Sequence, residues 1–339
     1  MLLSDFDYNL PEELIAQTPV EPRDHSKLLK LNKKTWEIEE NKFYSILEEL
    51  TENDVLILNK TRVINARLNW KNDYWRDVEI FLHKQISENT WDCLVFPWKK
   101  LKPWRKISFE YWLEAIIKDY SEAWRIIEFN KSWLDFLKTI EKLWKIPMPP
   151  YIKKELKNNE RYQTIWSEIE WSVAAPTASL HFTEELLEKI KNKWVKIEKV
   201  LLHVWLWTFM PVKTDNILEH KMHSEYIELE NEVANRLNKY KKEWKRIIAV
   251  WTTAIRVLET MSDSNWIIYP WKKDTDIFIY PWYNWKFVDS IITNFHLPKS
   301  TLLMLVSSFA SKEYTQKAYN YAVKNKFRFF SFWDAMFIK

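Results

Sequence analysis

The chain has 339 residues and contains no glycine. Glycine averages about 7% of residues, so roughly two dozen are expected in a chain this long. Turns and helix ends that need a positive φ have no good substitute for it. Cysteine is nearly absent too: Cys93 stands alone, which excludes an intramolecular disulfide or a thiolate metal cluster. Cys93 reads as a half-buried apolar residue in the strand-like stretch Trp91 to Phe96. Long hydrophobic runs are missing as well. Leu302 to Val306, the longest run, is far short of the roughly 20 residues that cross a bilayer. The first residues, MLLSDFDYNLPEEL, carry acids too early for a signal peptide. The expectation is a cytoplasmic protein without a membrane partner.

Tryptophan is in excess, with 22 residues, and the excess sits where glycine belongs. Trp194 follows the helical run ELLEKIKNK, and Trp244 follows NRLNKYKKE, each at the position that ends a helix. Trp98 and Trp282 follow prolines as in Pro-Gly turns. Trp205 and Trp207 flank one residue just after an apolar strand. The pattern points to UGA codons that the source reads as glycine and that translation has written as tryptophan. Trp91, Trp166 and Trp285 lie in strand-like or aromatic surroundings and read as genuine tryptophans.

Hydrophobic residues at 47% and charged residues at 29% are ordinary for a globular chain, and a net charge of +4 permits an RNA partner without demanding one. The length favours two domains. A short helix is expected over Pro11 to Gln17, then strand LLKLN, a helix around Tyr44 to Leu50, and the apolar strand DVLILN ending in the polar break Asn59 to Arg62. From about residue 69 to 145, short alternating stretches separated by turns suggest a small antiparallel barrel. A short helix, Leu134 to Leu143, and Pro147, Pro149 and Pro150 mark the return to the larger domain. The rest reads as α/β: a helix over Thr183 to Lys193, the strand VKIEKVLLHV, the strand HSEYIEL, a helix capped by Asn231, RIIAV, AIRVLETM, FVDSIIT, and a helix capped by Ser300. The fold class expected is an α/β main domain with a mixed sheet, interrupted by the inserted barrel.

Candidate site residues concentrate after residue 171. SVAAPTASLHF is a small-residue loop, closed by His181, that lets backbone amides approach a ligand; His181 either packs and caps or takes part in chemistry. His203 ends an apolar strand before Trp205-Leu206-Trp207-Thr208. With glycines restored this is a lone G-x-G, but no helix follows it, which opposes a dinucleotide or methyltransferase loop. His220, His223 and Glu225 have a spacing that could seat a metal. Strand residues three apart point to opposite faces, so a proton-transfer role for His223 or Glu225 fits better and no metal is expected. Thr252 and Thr253 open a helix after RIIAV, where amides and hydroxyls suit a carboxylate or phosphate, and Arg256 in the first turn could pair with a methionine tail. An ordinary strand-to-helix connection with a surface arginine is the alternative. Asn59 to Arg62, Asn294 to His296, Arg328, Ser331 and Asp334 together suggest one lined cleft.

At these residues the chain resembles a known family. NKTRVINARL, MPPYI with RYQT, SVAAPTASLHF, LHVWLWTF, HKMHSEY, AVWTTAIRVLE, DIFIYPW, TNFHLPKSTLLMLVSSFA and FRFFSFWDAMF match, in order, the motifs of the S-adenosylmethionine:tRNA ribosyltransferase-isomerases. The likeness runs from about Leu3 to Ile338. The family pattern has glycine at Trp171, Trp205, Trp207, Trp251, Trp282 and Trp333, and also at Ser179. The resemblance implies an α/β domain, 1–65 with 149–339, and an inserted β-barrel, 66–148. It implies transfer and isomerisation of the ribosyl group of S-adenosylmethionine onto the 7-aminomethyl-7-deazaguanine base of tRNA, releasing adenine and methionine and leaving epoxyqueuosine. S-adenosylmethionine is then a cosubstrate, no permanently bound cofactor is needed, and a monomer is expected. On this chemistry His181, His203, His223 and Glu225 become candidates for proton transfers. Ser172, Thr177, Thr252, Thr253, Arg256, Asn294 and His296 become candidates for holding the cosubstrate, and Arg62 and Arg328 for tRNA phosphates. An ordinary methyltransferase requires a glycine loop opening a helix, which Pro211 opposes. A non-catalytic RNA-binding protein requires a surplus of stacking aromatics, which largely disappears if the tryptophans are glycines.

Overall fold

The computed structural model describes residues 1–63, 67–71, 77–96, 101–121, 125–132, 135–136, 138–140, 163–172, 177–204, 212, 214–329 and 334–339. The chain separates into two compact units, Met1–Arg62 with Pro149–Lys339, and Val63–Met148. The larger unit holds a mixed sheet of nine strands. In chain order these are β1 (Lys27–Leu31), β2 (Ile38–Lys42), β3 (Asp54–Asn59), β4 (Lys196–Leu202), β5 (Glu225–Glu228), β6 (Arg246–Val250), β7 (Lys272–Thr275), β8 (Ser290–Asn294) and β9 (Ala335–Ile338). Their order across the sheet is β7-β5-β4-β3-β6-β8-β9-β1-β2. Four central strands, β4, β3, β6 and β8, run parallel.

Every residue of β3 is buried, as expected of a strand covered on both faces. Helices flank the sheet through amphipathic stripes. Glu184–Asn192 buries Leu186, Leu187 and Ile190, and Asn231–Lys242 buries Val233, Ala234 and Leu237. Thr183 caps the first by accepting from Leu186 N, and Ser300 caps Thr301–Ala310 by accepting from Leu303 N.

Several boundaries differ from the sequence reading. Pro11 to Gln17 is only a single 3₁₀ turn, Glu12–Leu14. Asn231 is the first helical residue, and the cap position belongs to Glu230, whose side chain makes no capping bond. β8 starts at Ser290 rather than Phe287, because the Glu259 carboxylate accepts the backbone N–H groups of Lys286, Phe287 and Val288. These amides have a carboxylate in place of a neighbouring strand.

The smaller unit contains an antiparallel sheet of six strands. Its described strands run in the order Arg67–Lys71, Asp77–Gln85, Thr90–Phe96, Arg125–Phe129, Glu114–Asp119, Lys106–Ser108. Among the described residues no pairing joins the two edge strands, so the expected barrel is seen here as an antiparallel sheet. Cys93 is fully buried in it rather than half-buried. Within the expected helix Leu134 to Leu143, the described residues 135, 136 and 138–140 are helical, and the others lie outside the described residues.

Among the described residues twelve have positive φ and eight of them are tryptophan: Trp36, Trp104, Trp112, Trp194, Trp244, Trp251, Trp266 and Trp282. For a side chain that large, a positive φ is a costly outlier. Trp112, Trp244 and Trp282 are more than four-fifths exposed, so packing does not repay the strain. Trp91, Trp166 and Trp285 are absent from this group. The Trp166 indole donates to Asn59 O at 3.1 Å, and that of Trp285 to Ser308 O at 3.2 Å.

Candidate active site at the strand ends

In the parallel core the carboxyl ends of β4, β3, β6 and β8 lie along one edge of the sheet. The antiparallel neighbours bring their amino ends to the same edge: Glu225 of β5 pairs with Thr275, and Ala335 of β9 with Asn294. β1, parallel to β9, adds Ser26 and Lys27. β3 precedes both neighbours in the chain, and β4 and β6 flank it on opposite sides. This is a topological switch point, where open α/β sheets place their ligands.

Asn59, at the end of β3, ties this edge together. It is fully buried. Its Nδ2 donates to Leu202 O at 2.9 Å and to Thr253 Oγ1 at 3.1 Å, and its Oδ1 accepts from the amides of Thr61 and Leu202, each at 3.2 Å. Lys60 follows and pairs with Glu230.

On one side of Asn59 lies a group built on β4, β5 and the helix Thr252–Met261. His203 is nearly buried and stacks on Tyr226 at 5.8 Å between centroids. Its Nδ1 meets Thr61 Oγ1 at 3.1 Å. Nε2 has no partner among the described residues. Burial pushes the ring down to about 4, opposed by the charge of Glu228, so the imidazole is neutral at pH 7 and can accept a proton. Arg256 and Glu225 form a buried ion pair with each other. The guanidinium also donates to Thr275 O at 3.3 Å. Burial, opposed by Asp276, lowers Arg256 to about 10, and it remains a cation. Thr252 and Thr253 are buried in the first turn of the same helix.

On the other side lies a group built on β8, β9 and β1. His181 is buried and stacks on Phe43 at 5.0 Å. Asn294 Nδ2 donates to its Nε2 at 2.9 Å, and Ser26 Oγ lies 2.8 Å from its Nδ1. An amide nitrogen can only donate, so Nε2 accepts and the ring proton sits on Nδ1, facing Ser26. Burial, reinforced by the charges of Arg328 and Arg23, lowers His181 to about 3. Asp334 accepts from the backbone amides of Lys27 and Arg328, each at 2.8 Å, and pairs with the Arg328 side chain at 3.1 Å. His296 is enclosed as well and lowered to about 3 by burial; its Nε2 meets Thr293 Oγ1 at 2.9 Å. Its backbone carbonyl accepts from Tyr8, and its amide donates to Tyr319.

The strand edge thus gathers His181, His203, Glu225, Thr252, Thr253, Arg256, Asn294, His296 and Arg328. Glu225 and Arg256, assigned separate roles from the sequence, engage each other. His223 is exposed in the segment before β5. Arg62 donates to Ser167 Oγ at 3.2 Å. Ser172 ends the strand Ile169–Ser172 and Thr177 opens the turn Thr177–His181, with their side chains outside the description. Trp98, Trp205, Trp207, Ser331 and Trp333 lie outside the described residues. Sequence reasoning missed Ser26, which is 155 positions from His181 and carries no local signal. Tyr226 was legible only as part of the HSEY run.

A family model described as queuosine biosynthesis protein matches residues 3–338. The chain belongs to that family. S-adenosylmethionine:tRNA ribosyltransferase-isomerase of Carboxydothermus hydrogenoformans is 50% identical over 339 residues, covering 100% of both chains. The protein of the same name from Thermosipho africanus is 51% identical over 343 residues, again covering 100% of both. A crystal structure of S-adenosylmethionine tRNA ribosyltransferase from Thermotoga maritima is 37% identical and superposes with a TM-score of 0.57, covering 99% of this chain and 100% of that one. Among the described residues of this queuosine biosynthesis protein, no helix is long and apolar enough to cross a membrane.

Proposed function

We propose that this queuosine biosynthesis protein is an S-adenosylmethionine:tRNA ribosyltransferase-isomerase. It transfers and isomerises the ribosyl group of S-adenosylmethionine onto the 7-aminomethyl-7-deazaguanine base of tRNA. The products are epoxyqueuosine-tRNA, adenine and methionine. The observation that carries this reading is the convergence of buried histidines, the Glu225–Arg256 pair and two threonines on one strand edge, in a chain half identical over its whole length to enzymes of that name.

The chemistry sets three demands: loss of a proton beside the sulfonium, departure of adenine with help from an acid, and a neutral amine for attack. His203 is the best placed for a proton transfer, since its ring is neutral and Nε2 is uncommitted. His181, with both ring nitrogens engaged, positions Asn294 and Ser26. Glu225 holds Arg256 in place, and His223 keeps a proton-transfer role from the exposed segment before β5. Thr252, Thr253, Arg256, Asn294, His296, Ser172 and Thr177 surround the cosubstrate. Arg62 and Arg328 meet tRNA phosphates. S-adenosylmethionine enters and leaves as a cosubstrate, without a resident cofactor or metal, and the enzyme works as a cytoplasmic monomer. Residues 66–148 form its inserted barrel domain. The same reading holds that the positive-φ tryptophans are glycines in the active protein, encoded by UGA. UGG codons at Trp171, Trp205, Trp207 and Trp251 sink that part.

The deciding experiment measures adenine release from S-adenosylmethionine by protein with glycine at the positive-φ tryptophans. It is run with and without tRNA bearing the aminomethyl-deazaguanine base. Release only with that tRNA supports the reading; methyl transfer to RNA without adenine release overturns it.

A further inference from the structure

His181 and His203 are both buried imidazoles, yet the groups that hold them differ in kind. At His181 the Asn294 amide donates to Nε2 at 2.9 Å. An amide nitrogen accepts nothing, so that ring nitrogen cannot take a proton without breaking the bond. At His203 the partner is a hydroxyl, Thr61 Oγ1, 3.1 Å from Nδ1. A hydroxyl both donates and accepts, so it satisfies Nδ1 with or without a proton there. The other nitrogen of His203, Nε2, is engaged by nothing among the described residues.

The contact is built from the backbone. Thr61 and His203 lie just beyond the ends of the neighbouring strands β3 and β4. Asn59 Oδ1 accepts the amides of Thr61 and Leu202, each at 3.2 Å, which fixes the two main chains on either side of the contact. The His203 amide donates to Tyr226 O at 3.1 Å. The Tyr226 ring lies against the imidazole with the two planes 16° apart. Thr61 is buried, and a β-branched side chain has few rotamers to choose from. The hydroxyl therefore has one place to be, and the imidazole has one plane.

We infer that Thr61 is a positioning residue for His203: its hydroxyl accepts the Nδ1 proton, which leaves the Nε2 lone pair available as a base. The inference rests on the proposed function and deepens it by naming the group that sets the tautomer. When Nε2 takes the proton beside the sulfonium, the C–H bond breaks and its electron pair stays on the carbon. An N–H bond forms at Nε2, and the ring becomes an imidazolium. Its Nδ1–H keeps the same acceptor, so the buried ring gains a proton without orphaning a donor.

The test reads the ring directly, by nitrogen NMR of the full chain with isotope-labelled histidine. His203 is assigned by the signals lost in His203→Gln. At neutral pH the parent should have a protonated Nδ1 and a bare Nε2. Thr61→Val keeps the shape and removes the hydroxyl, so it should move the proton to Nε2. It should also lower kcat for tRNA-dependent adenine release ~10–100-fold, part of what a proton-transfer group supplies, with KM unchanged. Thr61→Ser should keep the parent tautomer and most of kcat. A parent ring protonated on Nε2 overturns the inference, and no variant is needed to see it. So does Thr61→Val with either the parent tautomer or the parent kcat, and so does Thr61→Ser as impaired as Thr61→Val. If Thr61→Val does not fold, the parent spectrum and Thr61→Ser decide. A parent without tRNA-dependent release removes the proposed function, while the ring signals still report whether Thr61 sets the tautomer.

Discussion

The two groups on either side of Asn59 differ in what they leave unsatisfied. Around His181 both ring nitrogens, both Asp334 oxygens, and the amide and carbonyl of His296 are committed, with Asn294 Oδ1 and Ser179 Oγ left over. Phe43, Phe295, Tyr319 and Phe329 pack around them. Around His203 a neutral ring keeps one nitrogen uncommitted, and a buried cation and anion lie beside it. A buried ion pair is weak evidence for stability, since desolvation consumes most of its attraction. The first group is built to hold a shape. The second leaves polar capacity unspent at a cost in stability, which is why we propose it as the reaction centre.

The contrast is sharpest in turnover. His203→Gln should lower the rate of tRNA-dependent adenine release by ~10²–10⁴-fold, the usual range for a proton-transfer group, with little change in denaturant midpoint. A rate within threefold of the parent removes His203 from the chemistry. Arg256→Met, which strands Glu225 in the interior, should cost ~3–5 kcal/mol in urea unfolding. The double variant Arg256→Met with Glu225→Leu should recover most of that stability and no activity. Recovered activity would mean that the pair only fills space.

Acid should strike both groups at once. His181, His203 and His296 have folded pKa values of about 3, 4 and 3, all depressed from the ordinary 6.5. Between these values and 6.5 the unfolded chain binds protons that the folded chain refuses, so stability rises with pH there and is lost as pH falls. Three such rings give a slope of up to ~4 kcal/mol per pH unit. A flat melting temperature from pH 6.5 to 4.5 contradicts their burial. Asn294→Ala should cost ~1–3 kcal/mol by orphaning the His181 nitrogen, a smaller effect than Arg256→Met, because no charge is stranded. The smallest effect lies outside both groups. Trp244→Gly, at an exposed helix end with φ 58°, should stabilise the fold by ~1–2 kcal/mol, read as a shift in urea midpoint.

Much of this was legible before the structure. DVLILN, RIIAV and VKIEKVLLHV read as buried strands because parallel strands covered on both faces are almost continuously apolar. The polar breaks after them mark the candidate site, since strand ends are where such sheets expose side chains. What stayed hidden depends on pairing between distant segments. The Glu225–Arg256 pair needs β5 folded beside β4 and the Thr252–Met261 helix in the right register, and local periodicity contains neither. Ser26 against His181 has the same origin. The β8 boundary failed because a helix carboxylate, Glu259, competes for the backbone donors of residues 286–288. The tryptophans were legible by position alone, since a helix end needs positive φ whatever letter stands there.

The central strand also has a consequence for how the chain is made. β3 leaves the ribosome first among the four parallel strands, with every side chain destined for the interior. Its partners β4 and β6 begin only at Lys196 and Arg246. At ~5–20 residues per second, that is a wait on the order of ten seconds, during which the apolar strand has neither neighbour. The intervening segment, Val63–Met148, is compact by itself and can fold within that interval. Slowing translation after residue 148 should therefore favour correct assembly of the large sheet, while its first strands remain a target for chaperones until Val250 has emerged.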